Sequence, residues 1–445
     1  MKRVAIVGGG ACGIVMLKSI LEQKWDVEVM LFESSDCIGG TWVYNSDAKD
    51  NNQTAMYENL RTNLPKDCMG FLNHPFPSKL PTFISHEDVL KYLEDYATQY
   101  NLNSYIHLNC KVSNISPVDI NNPHVNSWKV SWESNNGVKS TENTDEFDYV
   151  AICNGHYNTP FIPDIPGISH FKGQVMHSSS YRNNTPFIGK KIVIIGNGAS
   201  AADIGLELAE VASVIHHCKR AESVAMFSSP TCSNVISHCN VTSVNDKGEF
   251  IVEDDNTLSD IDILMYCTGF HYDYPFLSEE CKIHLKYKRV CDLLFHIFPI
   301  NENHPQYSSN TDEKTTPPTI AFIGIPWKIL PFPLFDVQAR YVAAIWSGKS
   351  SLPSMKEIKE IFDQEASFHE KAGLPEHYLH CLGLSQFNYC SKLLSTAGHN
   401  SLLPNLEENK KIALVTKYVR DTNPDDYKDF KLIHSKGKWK YVKDE

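Results

Sequence analysis

An apolar strand, a glycine-rich turn and a helix follow one another twice in this chain, and a chain that repeats that pattern has few folds open to it. The first copy reads Val4-Ala5-Ile6-Val7-Gly8-Gly9-Gly10-Ala11-Cys12-Gly13, and Ile14 to Leu21 continues it. Val4 to Val7 is apolar and mostly β-branched, which suits a buried parallel strand, and Ile14 to Leu21 suits a buried helix. Gly8, Gly10 and Gly13 form G-x-G-x-x-G between them. The first glycine permits the tight turn, the second lets a pyrophosphate reach the backbone, and the third lets the helix lie close on the strand. The helix N-terminus adds unpaired N–H groups and a positive dipole end. The next strand, Val27 onward, ends at Glu33. An acid about twenty residues past the turn is where a carboxylate holds ribose hydroxyls.

The second copy is Lys190-Lys191-Ile192-Val193-Ile194-Ile195-Gly196-Asn197-Gly198-Ala199-Ser200-Ala201, continuing as a helix through Asp203 to Ala209. Duplication of a nucleotide-binding unit is a stronger signal than either copy alone. Ala201 replaces the third glycine, and the following strand, Ser213 to Cys218, ends in Lys219-Arg220 rather than in an acid. A positive pair there suits a ribose 2′-phosphate, hence NADP, the alternative being a solvated basic turn. The expected fold class is α/β with two dinucleotide-binding, Rossmann-like domains, the NADP domain inserted into the FAD domain. Boundaries follow from the chain: the strand Tyr149 to Cys153 ends at Gly155, and Pro160, Pro163 and Pro166 mark a linker. Ile261 to Gly269 closes the second unit, and Thr319 to Gly324 reads as a strand returning to the first. The domains expected are 1–160 (FAD, first part), 161–275 (NADP) and 276–445 (FAD, second part, with C-terminal helices).

Composition narrows the function. The formal charge of −12 argues against general nucleic-acid binding, which wants a basic surface. No stretch of about 18 apolar residues exists to span a membrane, and the opening apolar run is a strand and cofactor turn rather than a signal segment. A cytoplasmic location is the expectation. The 13 cysteines are scattered, with no C-x-x-C pair and no metal-type Cys/His spacing, so reduced thiols and no metal are expected. Two-nucleotide disulfide reductases carry a redox cysteine pair just past the turn that follows Glu33. Here Gly39-Gly40-Thr41-Trp42 is followed by Val43-Tyr44-Asn45, so dithiol chemistry lacks its reagent.

Between these landmarks, Ser85 and Asp88 are spaced as a capping box opening a helix to about Tyr100. Ile106 to Val112, Trp128 to Trp132 and Phe147 to Cys153 read as strands, with connections at Asn121 to Asn126 and Ser134 to Asp145. Asn301 to Pro318 reads as a surface loop and Pro326 to Phe335 as an apolar lid. Helices are expected at Asp336 to Trp346, Met355 to His369 and Leu406 to Arg420.

Phe171, Gly173, His177 and Tyr181 match F-x-G-x-x-x-H-x-x-x-[F/Y] just before the second turn. By that motif the chain resembles the flavin-containing monooxygenases that oxygenate nitrogen and sulfur. Related Baeyer–Villiger oxygenases carry Trp-Pro where this chain has Tyr181-Arg182. Gly39 to Trp42, Leu60 to Lys66, Cys267 to Phe270 and Gly324 to Trp327 resemble the same family, so the resemblance runs to about Pro353. The wording from Leu60 to Phe71 is most similar to insect and plant members, such as insect pyrrolizidine alkaloid N-oxygenases.

The resemblance implies that NADPH reduces FAD, that dioxygen adds at flavin carbon 4a as a hydroperoxide, and that a small amine or sulfide takes one oxygen. It implies Asn63 as the catalytic amide holding NADP⁺ and the peroxide. FAD would lie against Gly8, Gly9, Gly10, Ala11, Cys12, Gly13, Glu33, Gly40, Thr41, Trp42, Thr62, Asn63, Val112, Gly324 and Gln338. NADP would lie against Thr62, Asn63, His177, Gly196, Gly198, Ala199, Ser200, Asp203, Lys219, Arg220, Thr268 and Gly269. His177 is expected to organise the inter-domain hinge rather than to move protons, with a buried structural histidine and a cofactor contact weighed equally. Partners are dioxygen and the small substrate, with a homo-oligomer left open. The alternative activity is an FAD/NADPH oxidase or reductase without substrate oxygenation, and a cofactor-bound scaffold is the non-enzymatic reading.

Overall fold

The computed structural model describes residues 1–46, 54–119, 127–135, 140–220, 232–253, 256–286, 288–300 and 315–443. Each glycine turn leaves the middle strand of a five-stranded parallel sheet. In the first sheet Lys2–Val7 lies between Val27–Phe32 and Tyr149–Ile152, with Ile106–His107 and Ile320–Phe322 outermost. In the second, Lys191–Ile195 lies between Val214–Cys218 and Ile263–Tyr266, with Val235–His238 and Gln174–His177 outermost. Strands buried on both faces need near-continuous apolar runs, which Val4 to Val7 and Ile192 to Ile194 supply. The helices Ala11–Glu22 and Ala199–Ala209 follow these strands directly. The outer strand beyond Tyr149–Ile152 comes from after the second unit, so the chain does return at Ile320–Phe322, whereas the equivalent strand of the second sheet precedes its turn. The chain passes between the units twice, and the two passages pair as a short antiparallel ribbon, Phe270↔Pro160 and His271↔Thr159.

Some sequence expectations change. Ser134 to Asp145 is not all connection. Trp128–Asn135 and Ser140–Phe147 pair antiparallel along their length and join Cys110–Pro117 in a three-stranded sheet. Ser140–Phe147 is a largely exposed edge strand, so its polar side chains carry no apolar alternation to announce it. The expected strand from Ile106 splits, because Asn109 turns the chain at φ 54° between Ile106–His107 and Cys110–Pro117. The expected lid is partly core. Pro331–Trp346 is one helix with prolines in its first turn, where a missing N–H is harmless, and Phe332 and Leu334 are 2% and 0% exposed. The Asn121 to Asn126 connection and most of the Asn301 to Pro318 loop fall outside the described residues.

The helix over His86–Gln99 forms as expected, capped by Ser85, whose side chain accepts from the Asp88 N–H. The C-terminal helices run longer than expected, as Met355–Ala372 and Leu403–Thr422. After them the charged tail folds into an unanticipated hairpin of Phe430–Ser435 and Lys438–Lys443. Among the described residues no helix is long and apolar enough to cross a membrane.

Burial lowers the imidazoles of His156, His216 and His296 to about 4 each. Each is neutral when folded and takes up a proton near pH 6.5 when unfolded. Their contribution is therefore complete above about pH 6.5 and is lost as pH falls toward 4. The denaturant midpoint should fall between pH 7 and pH 5, and a midpoint that rises over that interval would contradict these assignments.

Candidate active site

At the first turn two loops meet backbone to backbone. The Gly39 N–H donates to the Gly9 carbonyl at 3.0 Å. A Cβ at Gly13 would lie 1.8 Å from the Gly8 carbonyl oxygen, so helix and turn pack this closely only with glycine there. The Ala11–Glu22 helix begins at Gly10 without a side-chain cap and without an acid in its first turn. Its leading N–H groups thus remain available to an anion. The buried Glu33 carboxylate accepts from the Gly9 N–H at 2.6 Å and from the Ser35 N–H at 2.8 Å, which fixes it at the rim of the turn. Val112 sits on the strand that starts at Cys110, whose N–H donates to the Glu33 carbonyl at 2.8 Å. Thr41 and Trp42 belong to the short helical turn Gly40–Trp42, and Trp42 packs edge-on against Phe332 at 6.1 Å.

Gly324 closes the other side. A Cβ there would lie 2.7 Å from the Cys12 sulfur. Gln338 stands behind this turn: its Oε1 accepts from the Gly324 N–H at 2.9 Å, and its Nε2 donates to Tyr389 Oη at 2.7 Å. Both ends of the amide are engaged inside the protein, so Gln338 acts on the site through Gly324.

The second turn is more open. Gly198, Ala199 and Ser200 are exposed, and a Cβ at Gly198 would meet nothing within 4 Å. The helix Ala199–Ala209 also starts without a side-chain cap or an early acid. Arg220 is exposed at the end of the Val214–Cys218 strand, beside Lys219. An uncapped helix start, an open slot and a basic strand end fit a phosphorylated dinucleotide, as the uncapped helix, the glycine turn and Glu33 fit one at the first site.

The resemblance motif has a structural explanation. Phe171 packs against Phe250 at 4.9 Å, and Gly173 lies so close to the Asp262 carbonyl that a Cβ would approach it to 2.4 Å. His177 Nδ1 accepts from the Ser179 N–H at 3.1 Å, so the proton sits on Nε2, which donates to the Gly269 carbonyl at 3.1 Å. Burial keeps this imidazole neutral. Both nitrogens are occupied by the chain, and His177 holds the Thr268-Gly269 turn next to the inter-domain ribbon. Tyr181 is fully buried against Tyr57 and Phe187.

Tyr57 begins the segment that leads to Asn63, and this segment reaches both units. The Glu58 N–H donates to the Arg182 carbonyl at 2.9 Å, and Asn59 Nδ2 donates to Glu207 on the second helix at 2.7 Å. Thr62 is pinned to the first unit, its N–H donating to the Ile84 carbonyl at 2.8 Å and its hydroxyl accepting from the Ile84 N–H at 3.1 Å. Asn63, half-buried in the following bend, has no side-chain hydrogen bond among the described residues. Asp203 is paired instead of free: Lys428 of the C-terminal tail reaches its carboxylate at 2.9 Å and the Arg61 carbonyl at 3.1 Å. Sequence reasoning missed Lys428, because nothing in a charged tail indicates where it docks. It also missed His156 and Tyr157, whose rings meet in a tilted contact at 4.5 Å beside Tyr272 and Phe270. The Gly155 end of the preceding strand was the available clue.

Two parallel nucleotide units of this geometry, tied together by the polar Tyr57 to Asn63 segment, fit a flavoprotein oxidoreductase that also takes a nicotinamide nucleotide. The family model described as FMO-like, flavin-binding monooxygenase-like, matches residues 1–229 and 226–440. The chain belongs to this family: it is a flavin-containing monooxygenase and uses FAD and NADPH. Flavin-containing monooxygenase FMO GS-OX-like 4 of Arabidopsis thaliana is 32% identical over 96% of this chain and 93% of its own length. A solved structure of S-allyl-L-cysteine S-oxygenase from Allium sativum superposes with a TM-score of 0.83 at 31% identity, covering 96% of this chain and 95% of that one. The fold is shared with cyclohexanone monooxygenase at a TM-score of 0.57 and 14% identity, over 90% of this chain and 99% of that one.

Proposed function

We propose that this monooxygenase consumes NADPH and dioxygen and transfers one oxygen to a soft nucleophile, sulfur first and nitrogen second, of a small molecule. The domains 1–160, 161–275 and 276–445 and the residue roles below belong to that reading. The observation that carries it is the Tyr57 to Asn63 segment, tied to both nucleotide units and ending in an uncommitted amide. Sulfur comes first because a relative 31% identical over nearly the whole chain is an S-oxygenase by name. When bound, FAD supplies the redox chemistry, accepting a hydride from NADPH and activating dioxygen.

The chain's own residues supply binding, orientation and exclusion of water. The two uncapped helix starts hold the pyrophosphates. Glu33 holds the ribose of FAD. Lys219 and Arg220 meet the 2′-phosphate of NADPH. Neutral His177 fixes the Thr268-Gly269 turn, and Gln338 fixes Gly324. Asn63 would hold the nicotinamide nucleotide and would offer a donor and an acceptor to the reacting oxygen. No protein nucleophile is required.

Losing one charge-assisted contact removes about 1.5–3 kcal/mol, or roughly tenfold to a hundredfold in affinity. Lys219→Ala/Arg220→Ala should therefore weaken NADPH by at least that range while NADH changes little. An unaltered preference for NADPH over NADH would remove the pair from the 2′-phosphate. The reading as a whole is tested by measuring NADPH consumption and product mass with a panel of thioethers and tertiary amines. Sulfoxides or N-oxides forming with NADPH loss support it. NADPH loss that yields only hydrogen peroxide across the panel favours an oxidase.

A further inference from the structure

Lys288 belongs to neither glycine turn nor to the basic strand end, yet it stands among the groups around the second turn. Its backbone passes through the left-handed region at φ 55°. Its ammonium lies 3.7 Å from the centre of the Phe161 ring and donates to the Thr268 carbonyl at 3.0 Å. One of three N–H donors is thereby used on protein oxygen. Among the described residues no carboxylate pairs with it. Burial lowers the ammonium to about 8, and the charge that adds to this is another cation, Arg220. Its own charge acts on His177. Holding a half-buried cation beside a second cation with no anion is unfavourable. The arrangement becomes favourable when a ligand brings the negative charge.

We propose that Lys288 binds a phosphate group of the nicotinamide dinucleotide, so that a residue from beyond the second sheet completes the phosphate site of the second turn. The inference rests on the reading of that turn as the NADPH site. It adds a cation that no glycine fingerprint contains. Phe161 and Lys288 come from the two passages of chain that flank the inter-domain ribbon, so the phosphate contact also ties the nucleotide to that ribbon.

The test is affinity, read by calorimetry on the FAD-loaded protein with NADP⁺, 2′,5′-ADP, 5′-ADP and adenosine. Lys288→Met keeps the apolar stem over Phe161 and removes the charge, and Lys288→Arg keeps the charge. Lys288→Met should weaken NADP⁺ by about tenfold or more and flatten its salt dependence, with Lys288→Arg restoring most of the affinity. A loss shared by 2′,5′-ADP and 5′-ADP assigns the contact to the 5′-phosphates. A loss confined to 2′,5′-ADP assigns it to the 2′-phosphate. The proposal is overturned if Lys288→Met leaves NADP⁺ affinity unchanged, or if adenosine weakens equally and Lys288→Arg fails to rescue. Wild-type protein that binds none of the phosphorylated ligands would instead remove the second turn as the NADPH site.

Discussion

Gly10→Val protein should purify colourless. Gly10 caps the first helix at φ −75° and ψ −172°, an extended conformation open to any residue. A Cβ there would meet Gly40 Cα no closer than 3.6 Å. The backbone therefore accepts valine, and the branched side chain fills the space beside the Gly10 and Gly40 turns where the proposed reading puts the FAD pyrophosphate. Flavin loss then reports exclusion of the ligand rather than collapse of the strand and helix. Stability should fall as well, because a ligand present at a hundred times its dissociation constant stabilises the folded state by about 2.7 kcal/mol. Flavin absorbance per protein measures the first effect and the melting temperature with and without added FAD the second. A yellow Gly10→Val protein with full flavin content would place the pyrophosphate elsewhere.

Asn63→Ala should separate NADPH consumption from oxygenation. The glycine turns, Glu33, Lys219 and Arg220 are untouched by this change, so reduction of FAD by NADPH should proceed nearly as in the parent. On the proposed reading, however, the site loses the Asn63 amide as a donor and acceptor for the reacting oxygen and gains room for water. A hydrogen bond to a charged or strongly polarised group is worth about 1.5–3 kcal/mol, or roughly one to two decades in a rate. The ratio of oxygenated product to NADPH consumed should drop, with hydrogen peroxide accounting for the difference. An unchanged ratio takes Asn63 out of the mechanism. Loss of flavin reduction instead makes it a docking residue for the nicotinamide nucleotide.

The parts of this architecture that could be read in advance are those in which one local physical requirement dictates residue type. A strand buried on both faces must be apolar, as Val4 to Val7 and Ile192 to Ile194 are. A helix packed so close to a turn that an added Cβ would come within 1.8 Å of a carbonyl oxygen must carry glycine there, as at Gly13. What stayed hidden depends on partners distant in sequence. Ser140–Phe147 is a strand because Trp128–Asn135 lies beside it, not because its polar residues prefer one. Lys428 reaches Asp203 and the Arg61 carbonyl across most of the chain, and no pattern in the tail encodes that meeting. Gln338 lies within a buried helix, and only the fold reveals that its amide supports Gly324. His177 was legible as a motif residue, while its role in fixing the Gly269 turn came from the direction of its two hydrogen bonds.

Isotopically labelled dioxygen decides between oxygen transfer and mere oxidation of NADPH. The enzyme, loaded with FAD, is given NADPH, a thioether that stimulates NADPH loss, and labelled dioxygen in unlabelled water. The sulfoxide should carry one labelled oxygen atom per molecule, in near-equal amount to NADPH consumed. Unlabelled sulfoxide, or NADPH loss recovered entirely as labelled hydrogen peroxide, would contradict an oxygen-transferring active site in this chain.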